Sequence, residues 1–367
     1  MTALLRAVTG FLLVKLGVLL FNMARFPILR SAAWPPGSVA AAGRPASDSV
    51  SLLVPMRDEA ARLRSSIGGL LRQEVRELII LDDESGDGSG SLARSLVAAH
   101  PRARVVTGAA APPGWVGKNW ACHQLAAQAT GSLLVFCDAD VMLADGAVDA
   151  VIREMRAQRA DVFSVFPRQI TASLGEHLVT PLIDDVLLCF LPFGLLSAPV
   201  PSAATANGSI MVFTWAAFRR LGGFAAVRTE IVEDVAIARR TRRAGLKLGL
   251  TLGGAMVATR MYDGYSQVVT GLARGLLPMA GGSRGLLVLA AGWHLAAYTL
   301  PWGMTARRRA WAIPLALGVA ERALVEIKTG RRTVWQAVLM PMSPLAAAPV
   351  IARALLGQQR WKGRALP

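Results

Sequence analysis

The chain has 367 residues, of which 53% are hydrophobic, 17% charged and 6% aromatic, with a formal net charge of +16. Soluble α/β proteins carry about a quarter charged residues, so this composition excludes an ordinary water-soluble globule. The arginines flank apolar runs (Arg25 and Arg30, Arg307 to Arg309, Arg331 and Arg332, and Arg360 to Arg364) instead of forming a stripe with aromatic partners, which points to the bilayer as partner and away from nucleic acid.

Ala3 to Ala24 is an apolar run interrupted by Arg6 and Lys15, near the length of a bilayer span. Bulky Phe21-Asn22-Met23 stands where a cleaved signal peptide would need small residues. A retained anchor over residues 1–26 is expected, and the positive charges after it place the next domain in the cytoplasm. Residues 27–48, rich in Ala, Pro, Gly and Ser, read as a linker. Apolar runs at Ser49–Pro55, Glu77–Leu81, Ala103–Val106 and Ser132–Cys137 then predict strands, with helical spacing at Glu59–Gln73, Ser91–Ala99 and Trp120–Thr130 between them. This order predicts an α/β domain over 49–280, a mostly parallel sheet flanked by helices, with ligands bound at the carboxyl ends of its strands.

Val186 to Val200 is uncharged but short and broken by Pro192 and Gly194, which suits a re-entrant or interfacial segment, with a buried core helix as the alternative. Residues 281–367 read as a C-terminal membrane region with a basic tail. Within it Gly285–Met304 has spanning length, Trp311–Ala320 is too short and followed by charge, and Val334–Ala352 is long enough but bent by Pro341, Pro344 and Pro349. One clear C-terminal span, at 285–304, and one or two further bent or short ones are therefore expected. Cys137 and Cys189 read as small core residues, and Cys122 beside His123 lacks a third partner for catalysis.

The residues that carry chemistry stand where strands end. Asp138-Ala139-Asp140 offers two carboxylates that can share a divalent cation, Mn2+ or Mg2+, which in turn neutralises a diphosphate. Asp82 and Asp83 open a glycine-rich loop suited to a nucleoside's base and ribose, and Pro55, Arg57 and Glu59 end the strand beside it, with Arg57 placed to meet phosphate or base. Lys118, after a rigid Pro112-Pro113-Gly114 loop and before a helix, is a candidate diphosphate ligand. Asp234, next to Glu233 at a helix start, is a candidate general base if burial offsets the lowering effect of that helix end. Asn207-Gly208 and Leu221-Gly222-Gly223-Phe224 read as tight backbone passages able to wall an acceptor pocket.

VPMRDEA at 54–60, LDDESGDGS at 81–89, DAD at 138–140, the N-G-S and L-G-G-F pieces and ED at 233–234 resemble, in order and spacing, the family 2 glycosyltransferases of the GT-A fold. PPGWVGKNWACHQLA at 112–126, DADV at 138–141 and TRMYDGY at 259–265 are similar to bacterial membrane glycosyltransferases of carotenoid- and hopanoid-associated type. The resemblance implies a GT-A domain with N- and C-terminal transmembrane helices, in a multi-pass protein of the bacterial inner membrane. It implies a nucleotide-sugar donor, with a UDP-sugar favoured. Pro55, Arg57, Glu59, Asp82, Asp83, Lys118 and Asp138 would bind the donor, Asp138 and Asp140 the metal, and Asp234 would be the base of an inverting displacement. Asn207, Gly208, Glu233, Arg260 and Tyr262 stand on the acceptor side, and a hydrophobic, lipid-like acceptor is expected. The Gln-x-x-Arg-Trp motif of processive members is missing after residue 267, so one transfer per acceptor is expected. Two alternatives are a membrane nucleotidyltransferase, which would want a basic glycine-rich loop after the first strand, and a non-catalytic membrane scaffold, which would not need polar clusters at successive strand ends.

Overall fold

A computed structural model of the protein describes residues 3–31, 50–331, 334–356, 360–361 and 364–365. Most of the expected linker, and Gln358 and Gln359 of the tail, lie outside the described residues. The chain divides into two compact units.

The unit that contains Pro27–Arg168 and Ser197–Thr259 is built on a seven-stranded sheet. Its strands are β1 (Val50–Met56), β2 (Glu77–Asp82), β3 (Ala103–Thr107), β4 (Leu133–Cys137), β6 (Val162–Phe166), β7 (Ile210–Thr214) and β8 (Leu248–Leu252), and a short β5 (Val141–Leu143) pairs antiparallel with β9 (Val257–Thr259). The spatial order in the large sheet is β3-β2-β1-β4-β7-β6-β8. β1, β2 and β4 read as near-continuous apolar runs because helices cover both faces of a parallel sheet. The core residues Leu52, Val54, Ile80, Val135, Phe163 and Val212 are almost fully buried. β1 is parallel to both β2 and β4, with Met56 opposite Asp82 and Leu53 opposite Phe136, so the acid-bearing strand ends emerge along one edge.

β7 runs antiparallel between β4 and β6. Its reversed direction puts its beginning beside the end of β4, with Cys137 opposite Ile210 and the Asp138 N–H donating to Ser209 C=O at 2.9 Å. Asn207-Gly208-Ser209 thereby joins the carboxyl edge of the parallel strands. Gly222 and Gly223 have φ of +79° and +54° and end the helix Trp215–Leu221, while Phe224 packs with Phe136, Phe213 and Phe218 in the core. That stretch is thus a helix stop and an aromatic anchor.

The other unit, containing residues 3–26, Gln169–Leu196 and Arg260–Arg360, is helical. Ala3–Arg25 and Val334–Leu356 are each long and apolar enough to cross a membrane, with mean hydropathy 2.0 and 1.5. The stretch expected as the clear C-terminal span is helical as Arg284–Thr305, but it meets Tyr265–Met279 at 118°, so that the two pass the same test only as one bent pair. Gly281 and Gly282, at φ +63° and +78°, supply the turn between them. The 186–200 stretch breaks at Leu191-Pro192 between the helices Leu182–Phe190 and Phe193–Ser197. Leu187 and Leu188 are buried there, whereas Val186, Phe190 and Leu195 are exposed.

This unit buries charge in matched pairs. Lys15 Nζ lies 2.8 Å from Asp185 and 3.0 Å from Glu321, and Tyr298 donates to the same Glu321 oxygen at 2.7 Å. Arg331 pairs with Asp184, Arg322 with Glu326 at 2.8 Å, and Lys328 caps the carbonyls of Met23 and Phe26. Lys15, Arg322 and Arg331 thus meet four buried carboxylates and Lys328 meets backbone carbonyls, the partnering that ionic groups require away from water.

Candidate active site

Lys118 is the hub of the polar cluster at the carboxyl edge. It stands at the start of the helix Gly117–Gln128, and its Nζ reaches Asp138 Oδ1 at 2.8 Å, Glu233 Oε1 at 3.1 Å and Gly208 C=O at 3.3 Å. Burial alone would lower its pKa, but Asp138 and Glu233 outweigh that and hold the ammonium well above its usual range. Glu233 and Asp234 open the helix Glu233–Arg243, and Asp234 Oδ2 accepts from Gly208 N–H at 2.8 Å. A Cβ at Gly208 would stand 2.9 Å from Glu233 Oε1 and 3.2 Å from Lys118 Nζ, so the close approach requires glycine. Asn207 fixes that glycine, its Oδ1 accepting from Ser209 N–H and its N–H donating to Ser164 Oγ.

Asp138 and Asp140 are half-buried, deep enough in the unit for desolvation to act on them. Burial first, then the charges of Asp138 and Glu59, push Asp140 up to about 7. Among the described residues no hydrogen bond or ion pair holds the Asp140 carboxylate. Two crowded carboxylates, one of them unpaired, fit a hard divalent cation. Asp234 is pushed up to about 7 by burial and then by Glu233, against the opposing pull of Lys118 and of N–H donors from Val235 and Gly208. Burial thus offsets the helix end, as a base working near neutrality needs.

Beside the ends of β1 and β2, Arg57 Nη1 donates to Asp83 C=O at 2.7 Å and lies 3.7 Å from its carboxylate. Asp82 turns inward, accepting from Ser85 N–H at 3.1 Å and pressing against Gly90, where a Cβ would stand impossibly close to its carboxylate. Pro55 lies within β1, and Glu59 precedes the helix Ala60–Leu71 and pairs with Arg62 at 3.4 Å. Arg57, Asp83, Lys118, Asp138, Asp140, Gly208, Glu233 and Asp234 all belong to the sheet-bearing unit.

Arg260 and Tyr262 belong to the helical unit. Arg260 pairs with Asp263 at 3.2 Å, and Tyr262 lies over Gly271, where any side chain would meet its ring. Glu176 organises this stretch by accepting from Gly264 N–H at 2.7 Å. Cys122 is buried and its thiol is pushed well above its usual range by desolvation, which suits a core residue. Asp185, Cys189 and Glu321 also bring three ligand atoms within 4.8 Å of one another. Lys15 already sits at 2.8 and 3.0 Å from the two carboxylates, in the place a metal ion would need, so this cluster is an internal ion pair.

Residues 31–264 match the family described as glycosyl transferase family 21. A relative, the 4,4'-diaponeurosporenoate glycosyltransferase of Staphylococcus haemolyticus, is 27% identical over 234 residues, which cover 63% of this chain and 61% of the relative. The match therefore spans less than two thirds of that relative's length. Among solved structures, the mannosyltransferase of Pyrobaculum calidifontis in complex with GDP-Man and Mn2+ is similar with a TM-score of 0.52 at 18% identity, covering 94% of this chain and 97% of that one. Glucosyl-3-phosphoglycerate synthase of Mycobacterium tuberculosis aligns with a TM-score of 0.45 at 19% identity, over 70% and 85% of the two chains. The fold shared with the first of these is GT-A.

Proposed function

The chain belongs to glycosyl transferase family 21, and from that premise we propose that it is a metal-dependent, inverting glycosyltransferase of the bacterial inner membrane. It moves one sugar at a time from a nucleotide-diphospho-sugar, a UDP-sugar first, to a hydrophobic lipid, terpenoid or polyprenyl acceptor at the cytoplasmic face. The observation that carries this reading is the meeting of Lys118, Asp138, Glu233 and Asp234 at one strand edge, beside an unpaired Asp140.

In this mechanism Asp83 and Arg57 hold the nucleoside end of the donor. Asp138 and Asp140 would hold Mn2+ or Mg2+, which would supply positive charge toward a diphosphate leaving group. Lys118 adds a fixed ammonium at the same place. Asp234, ionised above about pH 7, takes the proton of the acceptor hydroxyl as its oxygen attacks the anomeric carbon from the face opposite the diphosphate. Bond making and bond breaking in one displacement invert that carbon. The name of the Staphylococcus haemolyticus relative and the two spanning-length helices support an apolar acceptor.

Membranes supplied with labelled UDP- and GDP-sugars test this. The label is expected in solvent-extractable lipid and lost from it in Asp140→Ala; label that stays wholly in water-soluble material would remove the hydrophobic acceptor.

A further inference from the structure

Asp234 reaches the site from a turn that is stitched to the start of the helix bearing Lys118. The Val116 N–H donates to Arg228 C=O at 2.8 Å. The Asn119 side chain, fully buried, donates to Val227 C=O at 2.8 Å and Glu230 C=O at 3.0 Å, with Arg228 C=O at 3.4 Å. Three carbonyls converge on one end of this amide, so its nitrogen must face them. Its Oδ1 is buried and has no hydrogen-bond partner among the described residues. A buried acceptor without a donor is unfavourable, so the amide is present for what its nitrogen holds.

What it holds is the approach to the acidic pair, since Val227 and Glu230 lie six and three residues before Glu233. Neighbouring side chains thus act on the same pair by different routes. Lys118 binds Asp138 and Glu233 directly through charge, and Asn119 fixes the backbone that leads to Glu233 and Asp234. A carboxylate in place of the amide would face three carbonyl oxygens, which explains why this position carries Asn.

We propose that Asn119 is a positioning residue for sugar transfer: by tying the 227–230 turn to the helix that carries Lys118, it sets where Asp234 stands relative to Asp138. The inference rests on Asp234 as the base. Small displacements of a reacting group lower rate steeply, while a donor held by Asp83, Asp138 and Asp140 is untouched.

The test uses detergent-purified full-length protein with Mn2+, comparing wild type, Asn119→Ala, Asn119→Ser, Asp234→Asn and the Asn119→Ala/Asp234→Asn pair. Calorimetry reads the affinity for UDP and GDP, and labelled transfer to a lipid extract reads kcat. Asn119→Ala is expected to keep diphosphate affinity within about threefold while kcat falls about 30-fold or more. Asn119→Ser, with one hydroxyl donor, recovers part of that loss. The paired variant is expected within about threefold of Asp234→Asn alone, because both changes act through one group. The proposal is overturned by an unchanged kcat in Asn119→Ala, by equal losses of affinity and kcat, by nucleotide binding abolished in both Asn119 variants, or by multiplying losses in the pair. A wild-type rate in Asp234→Asn would instead remove the base assignment itself, and a wild type that binds neither diphosphate would remove the donor reading.

Discussion

Gly208 carries three constraints at once: its N–H serves Asp234, its C=O serves Lys118, and its missing Cβ leaves room for Glu233. Alanine there displaces the flexible end of Glu233 and leaves the backbone in place. Gly208→Ala is therefore expected to stay folded, by thermal melt, while kcat falls about tenfold through misplacement of the acidic pair. Asp234 sets a second residue-scale expectation. Its folded pKa of about 7 means that the proton-accepting form is lost as pH falls through 7. A pH profile of kcat should therefore rise through neutrality, and a flat profile between pH 5.5 and 8, a window of about 1 pH unit or more on each side, would contradict the base role. Asp82, Asp83, Asp138 and Asp140 were legible as a cluster in the sequence because they sit where apolar strand runs stop. Asn119 was not, because its three carbonyl partners lie more than 100 residues away and a buried amide has no local sequence signature.

Glu77 ties elements together at the opposite end of the sheet. It begins β2, and its carboxylate accepts from Ser51 Oγ of β1 at 2.6 Å, from Thr130 N–H and Oγ1 before β4 at 2.7 and 2.8 Å, and from Arg104 of β3 at 2.8 Å. Burial alone would raise its pKa, but these donors outweigh it and hold the carboxyl below its usual range. A depressed folded pKa gives stability that is present above the unfolded value, about 4.3 for Glu, and lost as pH falls through the folded one. Glu77→Gln should destabilise by about 1.5–3 kcal/mol at pH 7, with the gap to wild type closing in acid melts.

The first four strands were legible as elements, within one or two residues at most ends. β7 was not among the expected strands, and an apolar run carries no sign of its antiparallel direction. Glu321, Arg322 and Glu326 end the apolar run at 311–320 as expected, and the helix Ala312–Thr329 that carries them is not among the spanning-length helices of the described residues. These charges are tolerated because Glu321 meets Lys15 from a distant segment, while Arg322 and Glu326 pair with each other one turn apart. Lys15→Met leaves Asp185 and Glu321 without their cation and should cost about 3–5 kcal/mol in a detergent unfolding assay. Replacing all three by apolar residues should recover much of that loss; a single substitution without effect would show that the pair is not buried in solution.

At the scale of the whole molecule, apolar composition and arginine-flanked runs point to membrane association, and two helices of the described residues are long and apolar enough to cross a bilayer. The identity of the clear C-terminal span did not follow from hydropathy alone, because Arg284–Thr305 bends against its neighbour while proline-bearing Val334–Leu356 retains spanning length. The central claim is that the strand-edge cluster turns over a nucleotide sugar with a divalent metal. The most direct measurement incubates purified protein with a panel of UDP-, GDP- and dTDP-sugars and scores nucleoside diphosphate release with and without Mn2+ and host lipid extract. Release is expected from one donor, to require both metal and lipid, and to disappear in Asp140→Ala. Release that persists undiminished after chelation of the metal, or in Asp140→Ala, would contradict that claim.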